Sequence, residues 1–176
     1  EKIKLFVPRD STACSLGSDE VAHRLEQYFD QHEMNIDIVR NGSRGLYWLE
    51  PMIEIHSDKG RISYGPITPE DVDEFIALSC WEINTSHPCY LGSTEEIPYL
   101  KKQDRVTFQR AGKIDPLSVW DYQDHGGFVG LVKALDSSSQ DLVSCIRESG
   151  LRGRGGAAFP TGIKWQTVLD AASDTK

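Results

Sequence analysis

The first half of the chain contains the stretch Met52-Ile53-Glu54-Ile55-His56-Ser57-Asp58-Lys59-Gly60-Arg61-Ile62-Ser63-Tyr64. Residues 52–55 and 61–64 each alternate apolar and polar side chains, as half-buried strands do. Between them, Ser57 to Gly60 is a short polar loop that ends in glycine, which is typical of a hairpin connection. The segment therefore predicts two antiparallel strands, around which the first half of the chain is organised.

Elements on either side complete an α/β pattern. A helix is predicted with Ser18 as its N-cap, because apolar side chains recur at every fourth position after it. A second helix is predicted from Thr68, with proline at its first position and Asp71 as the capping acid. Further strands are predicted at residues 3–7 and 36–39. The order β-α-β-β-β-α predicts an α/β domain with helices packed on one sheet.

The second half of the chain has a helical pattern. A polar stretch with three Pro or Gly residues at 85–98 separates the halves, and we predict domains of residues 1–90 and 91–176. Apolar stripes predict helices that include Phe128 to Leu135, Leu142 to Ile146 and Ile163 to Leu169. Gly150 is predicted to end the second of these helices.

Composition narrows the class of protein. The 176 residues carry a net charge of −8, which disfavours nucleic-acid binding, and no apolar run is long enough for a membrane span. Four scattered cysteines and the absence of a signal-peptide pattern predict a reducing, cytoplasmic setting. The chain begins at Glu1 without a methionine and stops just after an amphipathic segment, so we expect a piece of a longer protein.

The most distinctive segment is Gly150-Leu151-Arg152-Gly153-Arg154-Gly155-Gly156-Ala157-Ala158-Phe159-Pro160-Thr161-Gly162-Ile163-Lys164-Trp165. Its glycines expose backbone N–H groups before a helix start, where phosphates and other anions bind, and Lys164 adds a positive charge. The dinucleotide pattern of three spaced small residues is met only formally, since a helix precedes it, and the Walker pattern is absent. A purely structural loop between two helices is the open alternative.

The same string resembles the flavin-binding loop of the NADH-binding subunit of complex I and its soluble relatives, with Ala158 in place of a glycine. The resemblance covers residues 98–176 and implies that this region is the helical start of an FMN/NADH-binding domain. It also implies that six residues bind the cofactors. Those of the glycine run act largely through the backbone, whereas Phe159 and Lys164 act through their side chains. The implied cofactor-binding residues are Gly153, Arg154, Gly155, Gly156, Phe159 and Lys164.

The first half resembles the thioredoxin-like [2Fe–2S] domain that accompanies this flavoprotein. Of the four cysteine positions implied by that resemblance only Cys14 is kept, and Arg9, Ser43 and Tyr47 occupy the others. One thiolate cannot hold a cluster, so we expect a thioredoxin-like domain without metal that serves in docking. The grouping of Cys80, His87 and Cys89 lacks a fourth ligand and does not predict a zinc site.

The two halves together resemble the NAD-linked beta subunit of soluble formate dehydrogenase. This resemblance implies FMN and NAD as cofactors, a [4Fe–4S] cluster beyond Lys176, a molybdenum or tungsten alpha subunit and a [2Fe–2S] gamma subunit. Electrons from formate would reach NAD⁺ through FMN, and no residue here has the pattern of a catalytic acid, base or nucleophile. The present piece alone is expected to be a poor enzyme. The alternatives are a subunit of an NAD-reducing hydrogenase or complex I homologue, and a non-catalytic docking fragment.

Overall fold

A computed structural model of the chain describes residues 2–58 and 60–173. The chain forms two compact units, which divide between His125 and Gly126. We call the described residues up to 125 the N-terminal unit and those from 126 the C-terminal unit. None of the helices in the described ranges combines the length and the apolar character needed to cross a bilayer.

The N-terminal unit contains one five-stranded sheet with the strand order β2-β1-β3-β4-β5. Strands β1 and β2 run parallel, and every other neighbouring pair is antiparallel. The predicted hairpin is confirmed, with Ile53 of β3 opposite Tyr64 of β4. A parallel β1-helix-β2 unit beside an antiparallel hairpin is a thioredoxin-like α/β arrangement, which confirms the predicted fold class. The strands are β1 Ile3–Phe6, β2 Ile36–Val39, β3 Ile53–Ser57, β4 Gly60–Tyr64 and β5 Tyr90–Ser93.

Five helices belong to the N-terminal unit: α1 Ser11–Ser15, α2 Ser18–Gln31, α3 Val72–Ala77, α4 Pro98–Lys101 and α5 Val119–Asp124. Helix α2 packs on the sheet through the predicted apolar face, and Val21, Leu25 and Phe29 are all buried. The N-cap of α2 is Gly17 instead of Ser18, because the chain turns there at φ +95° and a Cβ would lie 2.6 Å from Pro69 Cγ. The capping box predicted between Thr68 and Asp71 is present before α3.

The N-terminal unit continues past the predicted boundary at residues 90 and 91. Strand β5 begins there and pairs with β4, and residues 112 and 113 are held against the sheet by side-chain hydrogen bonds. The donors of those bonds are Asn41 and Arg61. The assignment of residues 91–176 to an FMN/NAD-binding domain therefore stays a prediction, and its first 35 residues are structurally continuous with the sheet.

The C-terminal unit consists of α6 Val129–Leu135, α7 Ser139–Glu148 and α8 Thr161–Asp170. The predicted helices are present, and Gly150 ends α7 with φ +67° as expected. Phe128 precedes α6 at φ +62° instead of lying within it. The apolar stripe of α6 is exposed to solvent, and Val143 is the one buried hydrophobic residue among those described in this unit.

Helices α7 and α8 approach each other closely at Gly162. A Cβ at this position would lie 2.6 Å from Arg147 Cα and 2.8 Å from Arg147 Cβ, which is closer than atoms can pack. A glycine at the second residue of α8 therefore sets the distance between the two helices. Their spacing in turn determines how the segment that joins them can fold.

Candidate functional site

The segment between α7 and α8 is a small hairpin, which we call the glycine hairpin (residues 151–161). Gly153 donates its backbone N–H to Phe159 O at 2.9 Å, and Thr161 donates to Leu151 O at 2.9 Å. These bonds flank an antiparallel bridge between Arg152 and Pro160. Residues 154–158 therefore form a closed tip instead of an extended connection.

The tip presents backbone donors to solvent. Gly156 has φ +104°, a conformation that glycine adopts without steric cost. Within the described part of the chain, the backbone N–H groups of residues 154–157 have no protein acceptor, and all four residues are exposed. Successive unpaired N–H groups on a glycine-rich turn form a concave site suited to an anion.

Side chains around the tip add positive charge and an aromatic surface. Four of the five charged side chains from Arg147 to Lys164 are cationic, on a chain whose net charge is −8. Phe159 is 45% exposed, and Lys164 Nζ lies 5.7 Å from the centre of its ring. The donor set fits a phosphate-bearing cofactor with a planar ring system, because it combines N–H donors, cations and a partly exposed aromatic side chain.

The structure brings all six predicted site residues into one place. Gly153, Arg154, Gly155, Gly156 and Phe159 lie in the glycine hairpin, and Lys164 lies in the first turn of α8. Sequence reasoning did not assign a role to Arg152, whose Nε donates to Ala158 O at 2.7 Å across the hairpin. Its position in the sequence, between Leu151 and Gly153, does not indicate this hydrogen bond.

Ala158 takes a backbone conformation that normally belongs to glycine. Its φ is +49°, in the left-handed region where a Cβ crowds the following carbonyl. Ala158 is also the position at which the sequence departs from the flavin-binding loop that it resembles, where the expected residue is glycine. The added methyl leaves the hairpin closed but places a local strain at its tip.

We expect Ala158→Gly to stabilise the glycine hairpin by about 0.5–1 kcal/mol, because glycine adopts φ +49° without that crowding. The matched control is Ala157→Gly, since Ala157 is outside the left-handed region and gains only unfolded-state freedom. Amide hydrogen exchange of Gly153 in the two variants measures the effect. Equal changes in both variants would show that the left-handed conformation of Ala158 carries no cost.

The four positions that resemble [2Fe–2S] ligands do not fit a cluster. Cys14 Sγ is a hydrogen-bond donor to Arg9 O at 3.4 Å, and Ser43 Oγ donates to Glu50 Oε1 at 2.7 Å. Burial raises the pKa of Glu50, whose carboxyl also accepts from the backbone N–H of Met52. The described residues contain no group of three or more His, Cys, Asp or Glu side chains arranged to hold a metal ion.

A buried ion network lies beside these positions. Arg44 contacts Glu54 through two hydrogen bonds of 2.9 and 2.7 Å, and both side chains are almost fully buried. Arg61 reaches the same carboxylate at 3.6 Å and lies over the ring of Phe6, with its guanidinium carbon 3.5 Å from the ring centre. Glu95 pairs with Arg44 at 3.1 Å from the surface side. The network links the sheet to the segment that follows β5.

The group of Cys80, His87 and Cys89 has a structural role. His87 is 2% exposed, its Nδ1 accepts the backbone N–H of Cys89 at 3.1 Å, and its ring packs edge-on against Tyr64 and Phe75. Burial raises the pKa of Cys80 to about 11, so the thiol is protonated at neutral pH. These side chains form part of the core.

Comparison with known proteins gives partial matches to redox subunits. No family model matches the chain. Over 76 residues, 43% of this chain and 16% of the relative, it is 47% identical to the HndC component of the NADP-reducing hydrogenase of Solidesulfovibrio fructosivorans. Over 47 residues, 27% of this chain and 10% of the relative, it is 57% identical to an NADH-quinone oxidoreductase subunit of Streptomyces coelicolor. The chain is 40% identical to the corresponding oxidoreductase subunit of Aquifex aeolicus over 71 residues, 40% of this chain and 17% of that one.

The matched parts thus span less than a fifth of each of these relatives. Among solved structures, a thioredoxin-like [2Fe–2S] ferredoxin from Aquifex aeolicus matches with a TM-score of 0.45 and 21% identity, over 53% of this chain and 94% of that one. A cysteine-to-serine variant of the same ferredoxin matches with a TM-score of 0.44 and 22% identity, over 52% and 99% of the two chains. The chain is therefore similar in part to oxidoreductase subunits.

Proposed function

We propose that this chain is part of an NAD(H)-linked electron-transfer subunit, in which the glycine hairpin binds FMN and receives the nicotinamide. The observation that carries the proposal is the closed tip at residues 154–157, where N–H groups without protein acceptors face solvent in a cationic setting. Partial similarity to subunits of an NADP-reducing hydrogenase and of NADH-quinone oxidoreductases supports it.

Each proposed site residue has a role that follows from its chemistry. The N–H groups of the tip and the charges of Arg154 and Lys164 would hold phosphate oxygens. Phe159 would stack on a planar ring, since its side chain is partly exposed. Gly155 would let the nicotinamide come close, because a Cβ there meets no atom within 4 Å and the space is open. FMN, when bound, would supply the hydride chemistry, while the protein contributes binding and orientation.

The parent enzyme is a separate part of the proposal. The named relatives are subunits of a hydrogenase and of quinone oxidoreductases, and they favour those alternatives over formate dehydrogenase. Formate oxidation, with a molybdenum or tungsten alpha subunit and a [2Fe–2S] gamma subunit, stays as the finer hypothesis. Identification of the subunits that co-purify with the intact protein distinguishes the parents, since a formate oxidase requires a molybdopterin-binding partner.

The N-terminal unit is proposed to serve in docking within that assembly. Two of its four positions that resemble cluster ligands, Cys14 and Ser43, donate side-chain hydrogen bonds to other groups, and its described residues have no arrangement suited to a metal. Electron transfer would therefore bypass this unit. Iron analysis of the isolated chain is expected to give no bound iron, and a stoichiometric cluster would contradict the docking role.

We expect Gly155→Ala to weaken FMN or NADH binding at least about tenfold without destabilising the free protein. The methyl meets nothing within 4 Å in the free chain, but it would occupy the space through which the nicotinamide approaches. The experiment is a titration of the intact protein with FMN and then NADH, followed by flavin fluorescence and absorbance.

The matched control is Gly130→Ala in α6, which also points a methyl into open space but lies outside the glycine hairpin. The control is expected to bind as the wild type does. If Gly155→Ala and Gly130→Ala both bind normally, the open face at Gly155 is not used by a ligand. The hairpin would then be the structural loop that the sequence also allowed.

A further inference from the structure

Arg152 lies at the base of the glycine hairpin, and its side chain bonds to the opposite strand. Its backbone faces Pro160 in the antiparallel bridge. Its side chain reaches the opposite strand, where Nε donates to the carbonyl of Ala158 at 2.7 Å. The backbone bonds that close the bridge are made by its neighbours Leu151 and Gly153, and Arg152 itself joins the two strands through its side chain.

The hydrogen bond from Arg152 to Ala158 O acts at a strained residue of the hairpin. Ala158 has φ +49°, so the peptide group that follows it is held in an orientation that an L-residue adopts at a cost. The carbonyl of that peptide is the acceptor of Arg152, and its N–H belongs to Phe159. A donor fixed on this carbonyl holds the strained peptide in place and keeps Phe159 O aligned with Gly153 N at 2.9 Å.

We propose that Arg152 is a positioning residue for the cofactor: it fixes the peptide between residues 158 and 159, so that the tip N–H groups and the ring of Phe159 are presented in one preformed arrangement. The consequence for binding rests on the proposed function, whereas the effect on the hairpin does not. Preformed donors bind more tightly than mobile ones, because less conformational entropy is lost on binding.

Arg152 differs in this respect from its neighbour Arg154. The described residues contain no hydrogen-bond or ion-pair partner for the side chain of Arg154, which is exposed at the tip. Its charge is therefore available to a ligand, while Nε of Arg152 is already engaged by the protein. The two arginines give a matched pair of variants, in which a cation is removed from the same hairpin with or without loss of the internal hydrogen bond.

The test measures the hairpin and the cofactor separately in the intact protein. Arg152→Ala is expected to raise the amide exchange rate of Gly153 about tenfold without ligand, the effect of losing one hydrogen bond. The amides of α7 and α8 should exchange as in the wild type, which shows that the helices remain folded. Arg152→Lys keeps a donor and is expected to restore most of the protection. Arg154→Ala is expected to leave the exchange of Gly153 unchanged.

Titration with FMN completes the test. Arg152→Ala is expected to lower FMN affinity about tenfold, with recovery in Arg152→Lys. Unchanged exchange of Gly153 in Arg152→Ala would overturn the inference, and so would a loss of affinity that salt abolishes while exchange stays the same, since that is direct charge contact. A wild-type protein that binds no FMN would contradict the proposed function. The exchange experiment would still decide whether Arg152 fixes the hairpin.

Discussion

Replacing Glu54 by alanine is expected to lower the free energy of unfolding of the N-terminal unit by about 3–5 kcal/mol. Glu54 is fully buried and accepts two hydrogen bonds from Arg44, with Arg61 3.6 Å away. Its removal would leave the largely buried Arg44 with only the half-exposed carboxylate of Glu95, and would take from Arg61 the carboxylate that it pairs with. Urea denaturation followed by circular dichroism measures the effect.

Glu95→Ala is the matched control, because Glu95 contacts the same Arg44 at 3.1 Å but its side chain is 58% exposed. Solvent screens such a pair, and we expect a loss below about 1 kcal/mol. Similar losses in both variants would show that burial does not set the strength of this network. A small loss for Glu54→Ala would mean that the arginines find other partners or reach water.

Gly162→Val is expected to disrupt the packing of α7 on α8. A Cβ at Gly162 would lie 2.6 Å from the main chain of Arg147, so one helix must move. Overpacking of this kind costs about 1–3 kcal/mol, and the isopropyl group adds to it. Because both ends of the glycine hairpin are attached to these helices, we also expect FMN binding to fall sharply. Amide exchange across α7 and α8, with an FMN titration, measures both effects.

Gly130→Ala again serves as the control, because Gly130 lies in α6 and a methyl there meets no atom within 4 Å. That change removes a glycine from a helix and is expected to stabilise it by up to about 1 kcal/mol. If Gly162→Val left α7 and α8 protected, the close approach at this position would not control their packing.

The hairpin of β3 and β4 could be predicted because alternating apolar residues and a glycine-ended loop are local signals. Strand β5, Tyr90–Ser93, could not, since all four of its residues are half-buried and it joins the sheet as an edge strand through backbone bonds. The domain boundary was therefore predicted where the sheet in fact continues. The buried pair of Arg44 and Glu54 was also missed, because a charged residue on a strand normally predicts an exposed face.

The candidate site could be located from the sequence but its geometry could not. The glycine run and Lys164 predicted an anion site, and the resemblance to flavin-binding loops supplied the six residues. The closure of the hairpin depends on the backbone angle of Ala158 and on the hydrogen bond from Arg152. Neither has a residue pattern of its own, so only the structure assigns Arg152 a role.

The most direct test is an anaerobic titration of the intact protein with NADH, after its flavin content has been measured. The glycine hairpin is expected to hold one FMN per chain, and NADH is expected to bleach its visible absorbance, with a weaker response in Gly155→Ala. A correctly assembled protein that contains no flavin, or whose flavin does not respond to NADH, would contradict the proposal that this hairpin is a nicotinamide- and flavin-binding site.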